Sequence, residues 1–241
     1  MSVAKLVADW KTVARTMDHS QLKTDASREA IARLCTEARE YGCAAVCVQP
    51  CHVALAHQFL AGSGVKTTSV IGFPQGTTLG TVKSFEAAEV LRLGAQELDM
   101  VINVAALKAG DRDYVGEEIR ALAEIAHKGG ALLKVIIEAC LLTRAEKILA
   151  CELVMAAGAD FVKTSTGMAS GGATVEDVSL MRSIVGDKLG IKAAGGIRTG
   201  ADAVAILNAG ATRLGTSGSV QILQELGAPA FVSRPPSPAP R

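Results

Sequence analysis

Eight short runs of apolar or β-favouring residues recur along the chain, at 12–20, 43–50, 65–72, 95–103, 131–139, 159–165, 189–196 and 211–217. Between them lie segments with apolar residues at helical spacing, among them SREAIARLCTEAREYG (27–42), TVKSFEAAEVLRLGA (81–95), RDYVGEEIRALAEIAHKGG (112–130), TRAEKILACELVMAAGA (143–159) and TVEDVSLMRSIVG (174–186). Strand then helix, eight times over, is the pattern of an α/β chain closed into a (β/α)8 TIM barrel; an open doubly wound sheet usually has fewer units. No dinucleotide fingerprint follows the first strand, because GSG at 62–64 precedes a strand instead of opening a helix. The pattern predicts a single barrel domain over 1–227. The segment 228–241, APAFVSRPPSPAPR, is too rich in proline to continue a helix and reads as a disordered tail.

Local signals mark several helix ends. Thr24, Asp25 or Ser27 can cap the helix that runs to Gly42, and Gly158 and Gly210 stand where a left-handed residue closes a helix before the next strand. Hydrophobic residues make up 49% of the chain but aromatic ones only 3%, so the core is built from Ala, Val, Leu and Ile, as suits strands covered on both faces. With 25 basic and 24 acidic residues, the formal charge of +1 gives no electrostatic reason to expect a nucleic acid or an anionic membrane as partner. Any anion specificity must be local. The cysteines at 35, 43, 47, 51, 140 and 151 form no C-x-x-C pair and have no close histidines, so they read as free thiols with no metal expected. The first twenty residues contain no apolar h-region, and the expectation is a soluble cytoplasmic protein.

The chemistry begins at FVKTSTG, residues 161–167, where a lysine lies inside an apolar strand. Burying an ammonium costs several kcal/mol unless it is paired or neutralised. Lys163 falls near the end of strand six, and Lys192 at a similar place on strand seven. Active sites of such barrels lie at the C-terminal strand ends, and neighbouring strands are about 4.8 Å apart. Two ammonium groups so close each lower the pKa of the other, which leaves one amine neutral and able to form a Schiff base. Strand four offers Glu97, Asp99, Val101 and Asn103 on one face, and strand five Lys134 and Glu138. An inward Asp99 would be counter-ion and proton shuttle. Gly195 and Gly196 precede a helix near Thr199, and Gly215 to Ser219 lead into the last helix, so loop amides and helix starts after strands seven and eight can hold a phosphate.

These residues resemble deoxyribose-phosphate aldolases, a class I aldolase family, over nearly the whole chain. The motifs run in the family's order: DHSQLK, VCVQP, VIGFPQG, ELDMVIN, KVIIE, GADFVKTSTG, IKAAGGIRT and RLGTS. The resemblance implies that Lys163 is the Schiff-base lysine, Lys192 the lysine that tunes it and Asp99 the proton-relay acid. It implies reversible cleavage of 2-deoxy-D-ribose 5-phosphate to D-glyceraldehyde 3-phosphate and acetaldehyde, with no metal or other cofactor, in a homodimer or higher homo-oligomer. Asp18, Cys47 and Lys134 match family positions that line the pocket. The expected substrate and phosphate contacts are completed by Thr164, Gly167, Gly195, Gly196, Gly215, Ser217 and Gly218. Two departures stand out. Met168 replaces a lysine that helps hold phosphate in some relatives, and the only tyrosines are Tyr41 and Tyr114, so none can close the site from the C-terminus. The competing readings are another class I aldolase or transaldolase with a different sugar phosphate, and a sugar-phosphate binding protein without catalysis. A binding site gains little from placing two like charges together.

Overall fold

The computed structural model describes residues 9–231. Eight parallel strands close into a barrel in chain order: β1 (Met17–Gln21), β2 (Ala45–Val48), β3 (Lys66–Ile71), β4 (Glu97–Val101), β5 (Leu132–Ile136), β6 (Phe161–Lys163), β7 (Gly190–Ala194) and β8 (Arg213–Thr216). The helices are α1 (Trp10–Ala14), α2 (Arg28–Tyr41), α3 (Val53–Leu60), α4 (Gly80–Arg92), α5 (Val104–Lys108), α6 (Arg112–Lys128), α7 (Arg144–Ala156), α8 (Val175–Val185), α9 (Gly200–Asn208) and α10 (Ser219–Glu225). Each of the eight expected strands is present, and β8 pairs with β1 to close the sheet.

The first strand starts later than its sequence run. The Asp9 carboxylate accepts from the amides of Lys11 and Thr12, and this cap turns residues 10–14 into helix before β1 begins. Ser27, and neither Thr24 nor Asp25, caps α2 by accepting from the Ala30 amide. Gly158 and Gly210 have φ of 82° and 115°, in the left-handed range expected of them. Asn103 leaves the strand face it was expected to share: its side chain accepts from the Ala106 amide and caps α5.

The period of two along each strand builds two different interiors. Leu98, Leu133, Val135, Val162, Ile191 and Leu214 are buried in the hydrophobic core, which extends to helix residues such as Ile119 and Val154. Each such side chain stabilises the fold by about 1.5–3 kcal/mol. The residues that alternate with them, Asp99, Lys134, Lys163, Lys192 and Arg213, carry charge. At the other end of the chain, packing runs past residue 227. Ala228 is buried, the Tyr41 hydroxyl donates to the Pro229 carbonyl at 2.8 Å, and the Phe231 ring lies 6.4 Å from that of Tyr41. The rest of the expected tail, 232–241, lies outside the described residues, as do residues 1–8. Among the described residues, no helix is long and apolar enough to cross a membrane.

Candidate active site

Strand register brings the charged residues together. Lys163 stands opposite Lys192, and Lys192 opposite Arg213; Asp99 is opposite Lys134, and Asp18 opposite Gly215. The Lys163 Nζ donates to Asp99 Oδ2 at 2.7 Å. Lys192 Nζ donates to the same oxygen at 2.6 Å and also to Asp18 Oδ2. Lys134 Nζ lies 2.9 Å from Asp99 Oδ1, 2.6 Å from Glu97 Oε2 and 3.5 Å from Asp18 Oδ2. Sequence reasoning placed Lys163, Lys192 and Asp99 at one point, and they are hydrogen-bonded there. It did not find Arg213, whose Nη1 lies 2.6 Å from Asp18 Oδ1 and 3.1 Å from Glu97 Oε2. The available signal was its place in RLGT, two residues before the inward Gly215.

The two lysines of the expected pair diverge instead of sharing one mutual effect. Burial depresses the Lys163 pKa; Asp99 pulls it back up, the Lys192 cation pushes it down again, and it ends below the ordinary amine value. Burial opposes charge on Lys192 as well, but Asp18 and Asp99 outweigh it and hold that ammonium protonated above its ordinary range. Lys134 is raised in the same way against its burial, chiefly by Asp99 and Asp18. Burial alone would raise Asp99, yet Lys134, Lys163 and Lys192 keep it ionised well below the usual carboxylate range. Cys47 is buried beside them, and burial pushes its thiol up to about 11, so it is no thiolate at neutral pH.

A cavity of about 610 Å³ opens above this cluster at the C-terminal strand ends. Lys163 lines it, whereas Lys134, Lys192 and Arg213 do not, although Lys163 itself is only 2% exposed. Farther along are Gly167, Gly195, Gly196, Gly215 and Ser217. Gly167 and Gly195 both have positive φ, 80° and 84°, and a Cβ on Gly195 would sit 3.1 Å from the Gly167 Cα. Two loops approach so closely there only because both residues lack side chains. At Gly215 the constraint is space, since a Cβ would lie 3.0 Å from Lys192 Cε.

Some expected contacts lie elsewhere. Thr164 faces away from the cavity, its hydroxyl donating to the Ala194 carbonyl at 3.3 Å and accepting from the Ala194 amide at 3.1 Å. Gly218 lines a neighbouring cavity of about 400 Å³, and its amide donates to Thr216 Oγ1. Asp18, Cys47 and Lys134 are buried in the charged cluster and do not line the larger cavity. At the α9 N-terminus, Asp202 accepts from the amides of Arg198 and Thr199, and Glu225 from that of Gly200. Two cations that sequence reasoning had not singled out, Lys23 and Arg198, line the cavity together with Met168. Glu138 does not join Lys134 either. It adopts φ 51°, and its carboxylate accepts from the Thr166 amide at 3.2 Å and from the Thr166 hydroxyl at 2.5 Å, which pins the turn after β6.

An amine of depressed pKa, a fixed cation, an ionised carboxylate and an adjoining glycine-lined cavity are the parts of imine chemistry on an anionic carbonyl compound. Known proteins agree. Residues 9–224 match the family described as DeoC/LacD family aldolase. A deoxyribose-phosphate aldolase of Thermococcus gammatolerans is 56% identical over 214 residues, which cover 88% of this chain and 95% of that protein. One from Streptococcus pneumoniae is also 56% identical, over 86% of this chain and 94% of its own. The solved tetrameric deoxyribose phosphate aldolase of Aeropyrum pernix superposes with a TM-score of 0.85 at 35% identity, covering 90% of this chain and 92% of that one. With the match spanning every barrel strand, the chain is an aldolase and belongs to the DeoC/LacD family.

Proposed function

We propose that this aldolase cleaves 2-deoxy-D-ribose 5-phosphate reversibly to D-glyceraldehyde 3-phosphate and acetaldehyde through an imine at Lys163. The neutral amine attacks the aldehyde carbon, and the carbinolamine loses water. The resulting iminium draws the electrons of the C2–C3 bond as that bond breaks and the C3 hydroxyl gives up its proton. Glyceraldehyde 3-phosphate departs, an enamine remains, and protonation at C2 followed by hydrolysis frees acetaldehyde and the amine. Asp99 has the geometry of the proton shuttle, because its Oδ2 accepts from both Lys163 and Lys192. Burial lowers the Lys163 pKa, and Lys192 is the fixed cation that lowers it further, which favours the neutral amine. The phosphate end is assigned to Gly167, Gly195, Gly196, Gly215 and Ser217, with Arg198 and Lys23 supplying the charge that Met168 cannot.

One observation carries this reading: of the cationic side chains in the barrel interior among the described residues, only Lys163 opens into the cavity, and its one carboxylate is shared with Lys192 and Lys134. Relatives at 56% identity named deoxyribose-phosphate aldolase support the substrate. A homo-oligomer is part of the reading, supported by the tetrameric relative and by the exposed Leu79, Val82 and Phe85 on and beside α4. The test is an assay of 2-deoxyribose 5-phosphate cleavage with a strong chelator present, beside unphosphorylated 2-deoxyribose. Undiminished cleavage of the phosphate ester and much weaker cleavage of the free sugar are expected. Dependence on added metal, or equal rates with the two sugars, would contradict the imine mechanism or the phosphate assignment respectively.

A further inference from the structure

Among the described residues, the barrel interior carries four cationic side chains, Lys134, Lys163, Lys192 and Arg213, against the three carboxylates Asp18, Glu97 and Asp99. An uncompensated charge in such a place is expensive, so the cluster favours release of one proton. Arginine does not give up a proton. Lys134 touches all three carboxylates, and Lys192 and Arg213 touch two each; Lys163 touches only Asp99. The amine with the fewest carboxylates is therefore the one that yields. Arg213 makes the count what it is, yet it lies outside the cavity and pairs only with Asp18 and Glu97. Its seat is built for it: the guanidinium lies 5.6 Å from the Phe161 ring centre, and Phe161 fits because Gly190 has no Cβ, which would lie 2.2 Å from that ring.

We propose that Arg213 is a positioning residue of this site: as a permanent cation on Asp18 and Glu97, it leaves the interior one positive charge in excess and so makes Lys163 the amine that stays unprotonated. The groups facing Lys163 are Asp99 from β4, Lys192 from β7 and the Cys47 thiol from β2, with Lys134 and Asp18 behind Asp99. Glu138, from the end of β5, is turned away onto Thr166. Asp18 contacts Lys192 directly, and Glu97 contacts Lys134, so removing Arg213 reaches Lys163 through the balance of the whole cluster.

The inference rests on Lys163 being the imine-forming lysine, and its test separates the two. In Arg213→Met the interior has equal numbers of cations and carboxylates, and the pH profile of kcat/KM should move to alkaline pH by about one unit or more, with activity recovering there. Glu97→Gln should move it the other way. The double variant, three cations against two carboxylates, restores the single excess and should return the profile toward wild type. Arg213→Lys keeps the charge and should stay near the wild-type profile, and together with Glu97→Gln it decides the matter even if Arg213→Met fails to fold. A uniform loss at every pH in Arg213→Met, or a double variant no better than its parents, would reduce Arg213 to a structural role and overturn the proposal. Reductive trapping with acetaldehyde on the same proteins locates the imine. Label at Lys163 with unmoved profiles sinks this inference alone, whereas label on another lysine sinks the reading beneath it.

Discussion

Lys83 and Lys163 are both buried lysines bonded to a carboxylate 2.7 Å away, and the contrast between them shows what makes such a lysine chemical. Lys83 leaves α4 and donates to Glu118 on α6 and to the Val101 carbonyl at 2.8 Å. The second oxygen of Glu118 accepts from the Asn103 amide at 3.3 Å. This is a closed pair, one cation to one anion, that ties two helices to the end of β4. Burial lowers the Lys83 pKa and raises that of Glu118, so both members lean toward neutrality. In the barrel, the carboxylate bonded to Lys163 serves two other ammonium groups, and the amine reaches a cavity. Burial depresses both lysines. A shared counter-ion and an open path to the cavity distinguish the one proposed to form the imine.

The largest effect that sharpens this comparison belongs to Lys163→Arg. Arginine keeps the charge but stays protonated, so cleavage should fall about 10⁴-fold or more while circular dichroism stays that of the wild type. Asp99→Asn should follow, slowing turnover by about 10²–10⁴-fold with a smaller change in binding. Solvent-proton exchange into acetaldehyde decides its role: exchange lost together with cleavage fits the relay, and near-normal exchange restricts Asp99 to the part of counter-ion. Lys192→Leu removes the cation beside Lys163, which raises the Lys163 pKa; neutral activity should drop, and the residual rate should climb with alkaline pH. An unchanged pH profile would give Lys192 another task.

The other side of the comparison predicts stability effects without catalytic ones. Lys83→Met leaves Glu118 buried without its cation and should cost about 3–5 kcal/mol in denaturant unfolding, with turnover per folded molecule close to wild type. Pairing it with Glu118→Leu should recover much of that loss. A large change in kcat for Lys83→Met would erase the distinction between the two lysines. The smallest expected effect is Glu138→Gln, which weakens the hold on Thr166 and should raise KM for the phosphorylated substrate about tenfold, with kcat less affected.

The fold was legible because each strand run is short, apolar and bounded by helical periodicity, and because strand alternation alone places Asp99, Lys134, Lys163 and Lys192 on inward faces. What stayed hidden depends on closure of the barrel. Asp18 and Arg213 are 195 residues apart and meet only because β8 pairs with β1. Nothing in GTVKSFEAAEVLRLG marks Lys83 as buried; it is covered by contacts remote in sequence, with Glu118 on α6 and the Val101 carbonyl. Glu138 continues the apparent alternation of KVIIE, but its backbone turns left-handed to reach Thr166. The glycines of the two last loops were expected beside open helix N-termini. In the folded chain, Asp202 takes the amides of Arg198 and Thr199 just before α9 and Glu225 takes that of Gly200, so the proposed phosphate contacts fall on the glycines themselves and on Arg198 and Lys23, which line the cavity.

The central claim is that one buried lysine among several is the nucleophile, and borohydride reduction in the presence of acetaldehyde tests it most directly. After proteolysis, peptide mass mapping should find one ethylated lysine, Lys163, with Lys83, Lys134 and Lys192 untouched and no label in Lys163→Arg. Ethylation of Lys192 or Lys134 in the wild type, or label that persists in Lys163→Arg, would contradict the account.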